Sequence, residues 1–126
     1  ETELAVARKN AATHEVDIQF KVSSLFDEIE ERFATIVTNL PYLRTDADLM
    51  LEVQKEPAVA LFGGEDGLDI YRTFLKQLSS HLESHGYLFT ECDPWQHADL
   101  IKEAAETAQL KPVEQGYFIL GFQSQK

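Results

Sequence analysis

Residues 33–44 read FATIVTNLPYLR. The β-branched run FATIV, residues 33–37, predicts a buried strand, and Pro41 ends it because a proline has no backbone N–H to give to a ladder. An amide side chain, a proline and a tyrosine (Asn39, Pro41, Tyr42) therefore follow directly on the strand's C-terminal end. Two readings of this group stand side by side. Asn and Pro both favour turns, and a tyrosine can simply pack, so the group can be a strand-ending turn. Alternatively, the Asn39 side chain and the Leu40 carbonyl accept the two hydrogens of a planar amine or amide nitrogen. Pro41 and Tyr42 would then hold the flat group so that its nitrogen faces an electrophile.

Working outward, residues 1–12 place Leu4, Ala5, Ala7, Arg8, Ala11 and Ala12 at helical spacing behind acidic residues that suit a helix N-terminus. DIQFKV, residues 17–22, alternates Ile18, Phe20 and Val22 as a strand does. SSLFDEIEER reads as a loop with a short turn, and residues 44–57 as a loop with a short helix. GGEDG, residues 63–67, is a turn from which Asp66 or Gly67 opens a helix. Its apolar stripe is Leu68, Tyr71, Phe74, Leu75, Leu78 and Leu82, and Gly86 is expected to stop it. YLFTE is the next strand. A further helix starts at Asp93 or Pro94 and runs through Trp95, Ala98, Leu100, Ile101, Ala104, Ala105 and Ala108. KPVEQ and YFILGF form an antiparallel pair. The alternation predicts an α/β protein with helices on a mainly parallel sheet, where ligands sit beyond the C-terminal ends of strands. Asn39 and Glu91 both fall at that edge.

The 126 residues suit one domain, with 44% hydrophobic and 26% charged residues, the balance of a globular chain. A net charge of −11 and scattered lysines and arginines set the surface against phosphate backbone, so nucleic acid is an unlikely partner. A single cysteine, Cys92, excludes an internal disulfide and reads as structural. No apolar run approaches the ~20 residues of a membrane span, and no signal peptide is evident. A cytoplasmic location is the expectation.

GGEDG lacks the lysine and hydroxyl residue of a phosphate loop. His81 and His85 stand one helical turn apart, but Glu83 is at neither position that helical zinc motifs use. Both are read as histidines in a helix's last turn, favoured by the dipole, and no metal is expected.

NLPY after a β-branched strand, EPAVALFGGEDGLDIYR downstream and GYLFTE before the next helix together resemble the release factor glutamine methyltransferases. The likeness runs from LAVARKNA to near the C-terminus. Members of that family use S-adenosylmethionine to methylate the side-chain amide of the glutamine in the Gly-Gly-Gln motif of peptide chain release factors. The resemblance implies that Asn39 and the Leu40 carbonyl bind the substrate amide, that Tyr42 packs on the glutamine side chain and that Pro41 stiffens the loop. It places Ser24 and Leu25 beside the cofactor's adenine, with Asn39 at the cofactor as well, and Glu56 and Pro57 on the approach to the site.

The chain departs from the family pattern in three places. Leu40 replaces the first proline, a form similar to that of the ribosomal RNA adenine dimethyltransferases, so adenine in RNA or DNA is an alternative target. Ser24 stands where an aspartate is frequent. The glycine-rich loop and the first two strands of the methyltransferase sheet do not precede Glu1. Residues 1–126 are therefore expected to be the C-terminal part of a Rossmann-like methyltransferase domain, inactive alone. Its unpaired strand edges, at 17–22 and 33–37, would favour a homodimer. A noncatalytic protein-binding module is the alternative outside enzymology.

Overall fold

The computed structural model describes residues 2–126. Helix α1 (Thr2–Thr13) turns its partly buried Leu4 and Ala7 and its buried Ala11 to one side. Strand β1 (Phe33–Thr38) follows, then a 3-10 turn at Val53–Lys55 and a single helical turn, α2 (Ala58–Leu61). Helix α3 (Asp69–His81) runs straight into β2 (Leu82–Glu91); a 3-10 turn at Pro94–Gln96 opens α4 (His97–Ala108), and β3 (Leu110–Gln115) and β4 (Ile119–Ser124) complete a sheet of order β1-β2-β4-β3.

The architecture is the expected truncated Rossmann-like α/β arrangement with a C-terminal antiparallel pair, but the sheet is mixed. Only β1 and β2 are parallel, while β4 runs antiparallel to both β2 and β3. Helices α3 and α4 bury one face of it. Leu68, Tyr71, Phe74, Leu75 and Leu78 of the predicted stripe meet Leu100, Ala104 and Ala108 from α4, over Leu88, Leu120 and Phe122 of the sheet. These residues form the core because both helices repeat apolar positions at the helical period while the strands alternate.

Four expectations are corrected. Residues 17–22 form no strand: Ile18 and Val22 are 51% and 72% exposed. Alternation supplies a face, but a strand also needs a neighbour for its N–H and C=O groups, and none lies beside this segment among the described residues. β1, read as buried, is the edge of the sheet with Val37 76% exposed, although Ile36 packs on the core. The helix ends at His81 rather than at Gly86; Leu82, sixth in the stripe, stays buried but is already extended (φ −96°, ψ 130°). His85 consequently lies in β2 with a left-handed φ of 59°, away from the helix dipole. Of the stripe predicted for the last helix, Ala98 and Ala105 of α4 are exposed, and the half-exposed Trp95 lies in the 3-10 turn before it.

Among the described residues no helix is long and apolar enough to cross a membrane, and no group of three metal-ligating side chains converges. The ring nitrogens of His81 lie 3.0 and 2.9 Å from the carbonyl oxygens of Gln77 and Ile29, so one N–H donates to backbone and ties the ring to structure.

Candidate functional site

Parallel pairing puts Thr38 opposite Thr90, so Asn39, the next residue, leaves the sheet beside Glu91 at the end of β2. Pro41 cannot continue the ladder, and the chain crosses to the segment before the GGEDG turn. There the Leu43 N–H donates to the Leu61 carbonyl at 2.9 Å, the Gly63 N–H donates to the Leu43 carbonyl at 2.9 Å, and the Thr45 N–H donates to the Gly64 carbonyl at 3.1 Å. The approach is close enough that a Cβ on Gly63 would lie 2.5 Å from the Pro41 carbonyl oxygen.

Two cavities meet at this loop. One, of about 420 Å³, is walled by Asn39, Leu40, Tyr42 and Leu43 on one side and by Asp48, Met50, Val53, Glu56 and Leu61 on the other, with Glu91 at its end. The second, of about 190 Å³, lies over the sheet between Val37, Thr38, Asn39, Phe89, Thr90, Glu91 and Ile119. Asn39 and Glu91 line both, and no lysine or arginine lines either. Among the described residues neither the Asn39 side chain nor the Leu40 carbonyl is engaged in a hydrogen bond, so both acceptors are available to a ligand.

Around that pair the polar groups are committed. The Tyr42 hydroxyl donates to Glu91 Oε1 at 3.0 Å. Burial, then the adjoining carboxylate, pushes its pKa up to about 12, which keeps it a donor across the physiological range. The Tyr71 hydroxyl donates to the Glu91 carbonyl and accepts from Thr90 Oγ1 at 3.3 Å. Burial likewise raises the Tyr71 pKa. One carboxylate oxygen of Glu91 is thereby held by a phenol, and the residue is fixed at the junction of the two cavities. The 3-10 turn that leads into α4 is capped by Asp93, whose side chain accepts from the Trp95 N–H, so Glu91 is not used as a cap. Cys92 is fully buried and its thiol pKa is pushed up to about 11, by burial first, consistent with a structural role.

Of the residues expected at the site, Asn39, Leu40, Tyr42 and Glu56 share the larger cavity. Pro41 lies between them and lends its carbonyl to the Gly63 contact. Pro57 is exposed at the start of α2, next to Glu56. Ser24 and Leu25 line neither cavity; they sit in the turn at 24–28, where the Ser24 carbonyl accepts from Asp27 and Leu25 packs against the core with φ 51°. Gln96, which sequence reading passed over, is fully buried behind the loop and donates to the Tyr42 carbonyl at 3.1 Å. The signal for it was present: Asp93-Pro94-Trp95-Gln96 has the spacing of a capping box.

No protein-family profile matches the chain. Among solved structures, the ribosomal protein L11 methylase of Lactobacillus delbrueckii subsp. bulgaricus superposes with a TM-score of 0.63 at 20% identity, covering 98% of this chain and 52% of its own. The T. thermophilus 16S rRNA N2 G1207 methyltransferase, solved in complex with AdoMet and guanosine, also gives 0.63, at 16% identity over 94% of this chain and 28% of its own. The fold is thus that of the Rossmann-like methyltransferases. Sequence narrows it further: the release factor glutamine methyltransferase of Deinococcus radiodurans is 37% identical over 114 residues, 86% of this chain, and that of Geobacter sulfurreducens 40% identical over 93 residues. The chain belongs to the release factor glutamine methyltransferase family and matches the C-terminal part of its members. It spans 41% of the length of the Deinococcus relative and 32% of that from Geobacter.

Proposed function

We infer that this chain carries the substrate-amide half of an S-adenosylmethionine-dependent methyltransferase domain, residues 1–126 being its C-terminal portion, and that its target is a glutamine side chain of a peptide chain release factor. The observation that carries the reading is the pair of free acceptors, the Asn39 side chain and the Leu40 carbonyl, on residues that line the larger cavity, Asn39 lining the smaller one as well. An amide nitrogen is a poor nucleophile because its lone pair is delocalised. Two acceptors on its hydrogens fix its direction, and positioning of that kind contributes much of the rate in transfer reactions. Tyr42 and Pro41 hold the planar group, and Glu56 and Pro57 border its approach. The proton leaves after the nitrogen is alkylated, so no base of matched pKa is required before attack.

S-adenosylmethionine, when bound, supplies an electrophilic methyl group. The hollow over the sheet, about 190 Å³, is smaller than the ~300 Å³ at which small-molecule sites begin. The chain's own residues therefore suit only the methyl-bearing end of the cofactor, next to Asn39. Ser24 and Leu25 are assigned to the adenine by family likeness alone and line neither cavity.

Leu40 in place of a proline favours adenine as a second reading. Against it, the larger cavity is lined by Asp48, Glu56 and Glu91 and by no cation, a poor setting for a polyanion. Calorimetric titration of S-adenosylmethionine into this chain, and into the chain joined to the segment that precedes it in its relatives, followed by methyl transfer to a release factor or to RNA, tests the reading. Binding and glutamine methylation by the extended form are expected. Methylation of RNA overturns the target, and absence of cofactor binding by both forms leaves a noncatalytic protein-binding module.

The free edge of β1 supports a further element of the reading, pairing with a second copy. Light scattering that finds only a monomer at all concentrations overturns it.

A further inference from the structure

Gln96 lines neither cavity, yet it is fully buried and every polar atom of its side chain is used. Its Nε2 donates to the Tyr42 carbonyl at 3.1 Å and to the Asp66 carbonyl at 3.2 Å, and its Oε1 accepts from the Asp93 N–H at 3.2 Å. Three separate segments are joined by one carboxamide: the loop after β1, the GGEDG turn and the cap of α4. The turn is shaped for this. Gly67 has φ 74°, and a Cβ there would occupy the space in which the Tyr42 carbonyl and the Gln96 amide meet. Only a primary amide offers two donors and an acceptor in one plane at this length. A carboxylate would face two carbonyl oxygens with further acceptors, and an apolar side chain would leave three backbone groups without their partner.

We propose that Gln96 is a positioning residue for the substrate loop: by fixing the Tyr42 carbonyl it sets the height of residues 39–42 against Glu91, so that Asn39 and the Leu40 carbonyl converge on one substrate nitrogen. The proposal rests on the amide reading of Asn39 and Leu40. Tyr42 is held at both ends, its hydroxyl on Glu91 and its carbonyl on Gln96, which leaves the intervening loop little freedom to slide along the end of the sheet.

The test uses this chain with Gln96→Glu and Gln96→Met, followed by amide hydrogen exchange at neutral and at mildly acidic pH. Leu43 and Gly63 N–H groups report on the loop, and the amides of β4 report on the core. In Gln96→Glu at neutral pH, protection of Leu43 and Gly63 should fall about tenfold or more, as loss of a buried hydrogen bond implies, with β4 unchanged. Acidification protonates the new carboxyl and restores one donor, so protection should return toward wild type. Gln96→Met should be lowered equally at both pH values. Asp66, Asp93, Glu91 and Tyr42 are the ionisable side chains around the amide, so each ratio is taken to wild type at the same pH.

Unchanged loop protection in both variants overturns the proposal. So does a fall in β4 equal to that in the loop, because the role would then be general stability. A second arm adds a Gly-Gly-Gln amide peptide and follows the Asn39 side-chain resonances. A shift in wild type that Gln96→Glu loses at neutral pH and regains on acidification links loop position to amide binding. If wild type shows no shift, the amide reading of Asn39 fails, while the exchange data still decide what Gln96 does.

Discussion

At the level of single residues, the site works by contrast between groups that are bound and groups that are left open. Tyr42, Glu91, Tyr71 and Thr90 satisfy one another, and beside them in the larger cavity the Asn39 side chain and the Leu40 carbonyl remain free. Replacing Asn39 by Ala should lower kcat/KM for the proposed glutamine methylation about 10²–10³-fold, the scale set by loss of one preorganised polar contact, measured in this chain joined to the segment that precedes it in its relatives. A lesser change, with cofactor affinity intact, would assign recognition to the loop backbone instead. Tyr42→Phe is a test of electrostatics. The folded chain keeps a phenol proton up to about pH 12 that an unfolded one releases from about pH 10. Its contribution to stability is present below the unfolded value and is lost as pH rises across that window. An ultraviolet titration difference between wild type and Tyr42→Phe should therefore show a phenolate forming near pH 12; one forming near pH 10 would mean that in solution the phenol is neither buried nor held by Glu91.

At the level of elements, the loop after β1 keeps its place because glycines let other backbone approach it. Gly67→Ala puts a methyl group at φ 74°, against the Tyr42 carbonyl, and should destabilise by about 1–3 kcal/mol, as overpacking does. Denaturant midpoints check this, and an unchanged midpoint would show that the turn can relax. How far these elements were legible follows from which signals are local. The stripe Leu68, Tyr71, Phe74, Leu75 and Leu78 declared α3, and Pro41 declared the end of β1, because helical period and a missing N–H act within a few residues. The segment 17–22 carried an equally good alternation and made no strand, since pairing depends on a neighbour that the segment cannot encode. For β1 the β-branched run declared a strand but not its exposure; the unpaired edge expected at residues 33–37 came from the family likeness, and β1 does lie at the edge of the sheet. Asn39, Leu40, Tyr42 and Glu56 line one cavity, three of them lying within four positions of one another, whereas Gln96 stayed hidden because its partners lie 54 and 30 positions away.

At the level of the whole molecule, an ion cluster ties the turn beside the site to both helices. Arg72 binds Asp66 at 2.6 Å, Asp69 at 3.1 Å and Glu103 at 3.0 Å. The Arg72 hydrogen bond holds the Asp66 pKa below its ordinary value, so this contribution is complete above about pH 3.9 and fades as pH falls through the lower, folded value. Asp66→Asn should flatten the acid limb of stability against pH relative to wild type, and parallel limbs would show that the cluster is spent on solvent. Sheet order has a different consequence, for assembly in time. β4 is the last of the four strands along the chain, yet it lies between β2 and β3 and brings Leu120 and Phe122 into the core. While the chain is being synthesised, β2 can pair with β1, but β3 has nothing to pair with until the residues after it arrive. The half of the sheet that carries the C-terminal hairpin closes in a single late event, and a nascent chain stalled before residue 119 would present the uncovered edge of β2 to whatever is near it.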